Sequence, residues 1–122
     1  MVPEPRQTVL LVEDEPAIRR LMDRTLSGAG YSVLEARNGQ EALGIIEEQA
    51  DTIDLAVIDM RMPLIGGEEL IGRLREQRPT LKVVATSGYP LDAPPDGFVF
   101  LAKPFSNEDL LRTVRTVLSG HQ

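Results

Sequence analysis

The sequence predicts an α/β domain with a parallel sheet covered by helices on both faces. Two patterns predict it. Short apolar runs alternate with stretches of helical periodicity along nearly the whole chain. Runs such as Leu55-Ala56-Val57-Ile58 are continuously apolar instead of alternating, as strands buried on both sides should be. A third observation says where a site belongs. The run 8–12 leads into Glu13-Asp14, the run 55–58 into Asp59, and the run 98–102 into Lys103-Pro104. In open α/β sheets the ligand site lies beyond the C-terminal ends of the strands, where these charges fall.

The elements follow in order. After the first strand, Pro16 opens a helix at its first turn, where a missing N–H is no loss. Ile18, Leu21, Met22, Thr25, Leu26 and Ala29 recur at helical spacing, and Gly28 or Gly30 ends the helix. Residues 31–36 read as a second strand, and Asn38-Gly39 turns the chain into a helix carrying Ala42, Leu43 and Ile46. The third strand, 54–58, runs into a loop with proline and glycine from Met60 to Gly67. A third helix near 68–77 then presents Leu70, Ile71 and Leu74 on one face. Pro79 leads into a fourth strand, 81–86. After the fifth run, Ser106 opens the last helix with a Ser-x-x-Asp start, Ser106 and Asp109, that has the form of a capping box. Leu110, Leu111, Val114, Val117 and Leu118 form its buried stripe.

One interval departs from the alternation. Only residues 88–97 separate the fourth and fifth strands, and they include Pro90, Pro94 and Pro95. That is short for a parallel crossover, and adjacent prolines leave little room for a regular helix. The fourth helix is therefore expected to be short or missing.

Bulk properties narrow the function. The 122 residues, 42% of them hydrophobic, suit one globular domain, expected over 8–118 with tails at 1–7 and 119–122. With no cysteine, disulfides, zinc-thiolate sites and thiol catalysis are excluded, and a reducing cytoplasm is expected. No run approaches the length of a membrane span, and the N-terminus lacks the apolar core of a signal peptide. A formal charge of −6 argues against direct binding to nucleic acid. No Walker-type phosphate loop is present, and His121, the single histidine, lies in the expected tail, which speaks against an internal phosphorelay.

The acids make a physical demand. Two like charges about 4 Å apart repel by roughly 4 kcal/mol at an effective dielectric near 20. Three carboxylates on one sheet edge need shifted pKa values or a bound cation, and a hard divalent ion with oxygen ligands is the natural relief. Each acid alone has a simpler reading: Asp59 could cap the next turn, and Asp14 could N-cap the helix at Pro16. The argument for a site rests on Glu13, Asp14 and Asp59 sharing an edge with Lys103 and with Ser87 near the end of strand four.

Together these residues resemble the receiver domain of response regulators in two-component signalling, over nearly the whole chain. Leu11-Val12-Glu13-Asp14-Glu15 is similar to the family's acidic-pair segment, and Val57-Ile58-Asp59-Met60-Arg61-Met62-Pro63 to its phosphoacceptor segment, with Gly67 at a usual glycine. Ala85-Thr86-Ser87-Gly88-Tyr89 resembles the segment bearing the switch hydroxyl, and Ala102-Lys103-Pro104-Phe105 the Lys-Pro signature. The resemblance implies a flavodoxin-like doubly wound sheet of five strands in the order 2-1-3-4-5. It implies phosphorylation of Asp59 by a phosphohistidine of a histidine kinase or phosphotransfer protein. Mg²⁺ would be held by Asp14, Asp59 and the backbone carbonyl of Arg61, with Glu13 acting mainly through water. Ser87 would hydrogen-bond the phosphoryl group, Lys103 would neutralise one of its oxygens, and the Lys103-Pro104 bond would be cis. Phe100 falls at the position of the family's switch aromatic. Arg61 and Tyr89, two residues after the phosphoacceptor and the switch hydroxyl, would govern phosphate lifetime.

The resemblance also implies a downstream protein partner, no membrane or direct nucleic-acid contact, and a monomer or weak homodimer. Turnover would be limited to Mg²⁺-dependent self-phosphorylation and autodephosphorylation. Two rivals differ in class. An aspartate-phosphoenzyme phosphatase also uses a strand-end Asp with Mg²⁺, but it wants a second acid where Arg61 stands and a cap domain that this chain lacks room for. A receiver-like interaction module acting without phosphorylation is kept open by the altered segment between strands four and five.

Overall fold

The computed structural model describes residues 6–88 and 99–120. Five strands form one sheet: β1 (Thr8–Val12), β2 (Ser32–Ala36), β3 (Leu55–Asp59), β4 (Lys82–Ser87) and β5 (Val99–Ala102). All pair in parallel, in the order β2-β1-β3-β4-β5. Four α-helices are described: α1 (Pro16–Gly28), α2 (Gly39–Gln49), α3 (Gly67–Gln77) and α4 (Asn107–Ser119). This is the doubly wound α/β sheet that the sequence predicts. The expected irregularity at 88–97 falls almost wholly on residues 89–98, outside the described residues, as do Tyr89 and His121.

Strand alternation divides the core into two layers. Leu10, Val12, Ala56 and Ile58 face one way and pack with Ala42 and Ile46 of α2 and Leu70, Ile71 and Leu74 of α3. Val9, Leu11, Leu55 and Val57 face the other way and meet Met22 and Leu26 of α1 and Leu110 and Val114 of α4. Burying both faces explains why β3 is apolar at every position until Asp59.

Local chemistry sets the helix starts. Pro16 stands in the first turn of α1, whose N-cap is Glu15 with no side-chain capping bond. Asp14 therefore does not cap this helix. Asn38 Oδ1 accepts the Glu41 N–H (2.9 Å) at the start of α2. At α4, both halves of the Ser106–Asp109 capping box form, and Gly120 closes the helix at φ 77°.

Boundaries move by one residue at several strands. β3 includes Asp59, because the ladder continues from Asp59 to Thr86 and the Met60 N–H donates to the Thr86 carbonyl (2.9 Å). β4 likewise reaches Ser87, whose carbonyl accepts the Lys103 N–H at 2.8 Å. A 3₁₀ turn at Ala50–Thr52 has no local signal in the sequence. It is held from afar by Arg78, whose Nη1 donates to the carbonyls of Ala50 and Ile53. Among the described residues, no helix is long and apolar enough to cross a membrane.

Candidate functional site

Four adjacent parallel strands deliver the site. In the β1–β3 register Val12 stands beside Ile58, so Glu13 and Asp59, the next residues, emerge side by side. Ser87 ends β4 opposite Ala102, and Lys103 follows at once on β5. Glu13, Asp59 and Ser87 are 1%, 5% and 1% exposed, while Asp14 is open to solvent. The Lys103-Pro104 bond is cis.

Glu13 is held at every polar group. Its N–H donates to Ala36 O (3.1 Å), and its carbonyl accepts from Arg19 Nη1 (2.9 Å). Its carboxylate accepts from the Glu15 N–H (3.1 Å) and from Lys103 Nζ (2.8 Å). Asp59 is held more lightly. Its Oδ1 accepts the Arg61 N–H at 3.1 Å, and its Oδ2 lies 3.5 Å from Lys103 Nζ.

Burial pushes the Asp59 carboxyl up to about 6. The Arg61 N–H pulls it down and Lys103 does the same, but the neighbouring charge of Glu13 raises it again. Burial alone would lower the Lys103 ammonium. The hydrogen bond and charge of Glu13, with Asp59 behind them, more than offset that and hold it above its ordinary range.

The donor set fits a hard divalent ion. One carboxylate oxygen from each of Glu13, Asp14 and Asp59 lies within 4.8 Å of the others. Octahedral Mg²⁺ with oxygens at about 2.1 Å needs ligand oxygens roughly 3–4 Å apart, so small rotations would close the set. The three acids border a cavity of about 360 Å³, shared with Arg61, Gly88 and Lys103. A second cavity of about 420 Å³ adjoins it between α1 and the start of α4, lined by Ile18, Leu21, Met22, Pro104 and Phe105.

The loop after Asp59 is shaped by close approach. A Cβ on Gly67 would lie 2.7 Å from Met60 Cα and 3.1 Å from the Asp59 carbonyl, so the chain returns there only as glycine. A Cβ on Gly39 would lie 2.8 Å from Ile65 Cβ, so α2 buttresses the same loop. Leu64 at its tip sits at φ 71° and is 79% exposed.

Of the residues predicted from sequence, Glu13, Asp14, Asp59, Arg61 and Lys103 surround one cavity, and Ser87 ends the neighbouring strand. Phe100 is partly buried and lies away from them. Leu101 packs toward α1 and α4, so alternation turns Phe100 to the opposite face. Arg19 and Gly39 were not foreseen. Arg19 resembles any helix-surface arginine in sequence, and Gly39 looks like an ordinary turn glycine.

Strand order and acidic edge together define a CheY-like receiver fold. The family described as the response regulator receiver domain matches residues 9–115, and the chain belongs to that family. It is 45% identical to the sensor kinase CckA of Brucella abortus over 117 residues, 91% of this chain but 12% of that protein. It is 37% identical to the response regulator MprA of Mycolicibacterium vanbaalenii over 118 residues, 90% of this chain and 49% of that protein. The chain thus spans half or less of the length of these relatives. Among solved structures, the receiver domain of the hybrid histidine kinase CckA is 42% identical with a TM-score of 0.83, covering 91% of this chain and 98% of that one. The response regulator TrrA of Thermotoga maritima, solved in complex with Mg²⁺–BeF, is 28% identical with a TM-score of 0.81, covering 91% and 98%.

Proposed function

We propose that this receiver domain takes a phosphoryl group onto Asp59 from a phosphohistidine of a sensor kinase or phosphotransfer protein. The observation that carries the reading is Asp59 itself. It is a nearly buried carboxylate at the end of the central strand, facing a cavity bordered by Glu13, Asp14, Glu15 and Lys103.

The step balances simply. An Asp59 carboxylate oxygen attacks phosphorus, the P–N bond of the phosphoimidazole breaks, and its electron pair returns to the ring nitrogen, which is left to take up a proton. Glu13, Asp14, Asp59 and the Arg61 carbonyl would hold Mg²⁺, which when bound supplies positive charge between the carboxylates and the phosphoryl oxygens. Lys103 leaves Glu13 to neutralise a phosphoryl oxygen, and the Ser87 hydroxyl donates to another. Phosphoryl transfer depends largely on positioning and charge stabilisation, which these groups provide. Support comes from the metal-compatible donor set and from TrrA, a relative of the same fold solved with Mg²⁺ and a beryllofluoride group.

Phosphorylation would then reach a partner surface through Ser87 and Phe100, with Arg61 and Tyr89 setting the lifetime of the acyl phosphate. We place the domain in the cytoplasm of a two-component pathway, with a downstream protein partner and no turnover beyond self-phosphorylation and autodephosphorylation. The test is intact mass after incubation with acetyl phosphate and Mg²⁺. A single added phosphoryl group, absent in Asp59→Asn and without Mg²⁺, is the expected result. No adduct, with no response to beryllofluoride, would leave a module that binds partners without phosphorylation.

A further inference from the structure

We infer that Arg19 is a positioning residue for the metal site, bracing the peptide between Glu13 and Asp14 against α1 and β2. This rests on the reading of the acids as a Mg²⁺ site. Arg19 Nη1 donates to the Glu13 carbonyl at 2.9 Å, the carbonyl of the peptide that joins the two acids. On the other side of the guanidinium, Nε lies 3.4 Å from Glu35 Oε1 on β2. The Asp23 carboxylate of α1 stands near Glu35, and it accepts the Ser27 hydroxyl at 2.6 Å. A continuous brace therefore runs from α1 and the edge strand β2 to the acidic loop.

The Glu13 carbonyl needs such a donor. The helical bonds of α1 begin with the Arg19 N–H on the Glu15 carbonyl, so Glu13 lies outside the helix ladder. Among the described residues no side-chain hydrogen bond holds Asp14, and its carboxylate is aimed by its backbone alone. Rotation of the Glu13–Asp14 peptide would swing that carboxylate away from Asp59. The Arg19 side chain is 12% exposed, and a cation withdrawn from water to this extent needs fixed acceptors. A planar fork can address the Glu13 carbonyl and Glu35 together, whereas a lysine ammonium is a point charge.

The sign of the effect separates positioning from charge. Arg19→Gln removes a positive charge near three carboxylates, so simple electrostatics makes it bind Mg²⁺ more tightly. Positioning makes it bind more weakly. Calorimetric titration of the full chain with Mg²⁺ alone should show affinity falling roughly tenfold in both Arg19→Gln and Arg19→Lys, as for other groups that orient metal ligands. Metal-free backbone NMR should show the Asp14 and Glu15 amides displaced in both variants.

Tighter or unchanged Mg²⁺ binding in Arg19→Gln overturns the inference, even if its melting temperature falls. Should Arg19→Gln fail to fold, Arg19→Lys decides: parental affinity in the folded lysine variant also overturns it. If the parent chain itself binds no Mg²⁺, the metal-site reading fails and takes this inference with it. Normal binding in the parent and in both variants sinks only the role of Arg19.

Discussion

Lys103 Nζ lies 2.8 Å from Glu13 Oε1 but 3.5 Å from Asp59 Oδ2, so in this state the lysine belongs to the glutamate. The ammonium occupies part of the charge-neutralising role that a divalent ion would take. It must let go of Glu13 before it can meet a phosphoryl oxygen.

Removing that competitor should separate metal binding from stability. Lys103→Met is expected to bind Mg²⁺ several-fold more tightly. It should also lose about 3 kcal/mol in metal-free urea melts, because nearly buried Glu13 is left without its cationic partner. Much of that loss should return at saturating Mg²⁺. Weaker Mg²⁺ binding in this variant would mean that Lys103 organises the acids instead of competing for them.

The raised Asp59 carboxyl makes a prediction about pH. Its folded value of about 6 lies above the 3.8 of an ordinary aspartate, so between these the folded state binds more protons than the unfolded one. Stability therefore falls as pH rises through this window, by about 3 kcal/mol at 1.36 kcal/mol per pKa unit. Asp59→Asn should remove most of this fall and be the more stable protein at pH 7 without metal. Urea melts of both proteins from pH 4 to pH 7 check it; parallel curves would mean that Asp59 is relieved in another way.

Gly67→Ala tests the close return of the loop after Asp59. The new Cβ would meet Met60 Cα at 2.7 Å, a backbone contact that cannot rotate away. A loss of about 1–3 kcal/mol is expected, as for other overpacked sites. Weaker Mg²⁺ binding should accompany it, because Met60 adjoins Asp59. Gly66→Ala, where a Cβ meets nothing within 4 Å, is the control.

Legibility tracked locality. β1 matched its expected bounds because an apolar run ended in charge, and the α4 capping box was visible as Ser106 and Asp109 three residues apart. The positions of Glu13, Asp14, Asp59 and Lys103 were readable because strand ends are written in the chain itself. The links made across long separations were not. Arg78 reaches back to the carbonyls of Ala50 and Ile53, and Gly39 matters only because Ile65 lies against it. The preference of Lys103 for Glu13 over Asp59 depends on a sub-ångström difference that no residue pattern encodes.

Leu64 carries a conformation that suits it poorly. At φ 71° its Cβ crowds the backbone, a strain of roughly 1–2 kcal/mol for most residues and less for asparagine. Its side chain is 79% exposed, so little packing offsets the strain. Leu64→Asn should raise stability by about 1 kcal/mol in urea melts, with phosphorylation unchanged. Leu64→Gly should gain less, because glycine also enlarges the entropy of the unfolded chain. A loss of stability in the asparagine variant would show that Leu64 packs more than its exposure suggests.

Arg61 bears on how long a phosphoryl group would last. Its N–H holds Asp59 Oδ1, and Arg61 borders the cavity that Asp59 faces, from which water could approach an acyl phosphate on the other carboxylate oxygen. Hydrolysis needs water in line with the breaking P–O bond, so a large side chain over that path slows the reaction without touching the transfer step. Arg61→Ala should keep the backbone contact, accept phosphate at the parental rate, and lose it several-fold faster. The decay of intact phosphoprotein by mass spectrometry, after removal of acetyl phosphate, measures this directly. Equal decay in parent and variant would rule out the shielding role and leave the lifetime to other groups.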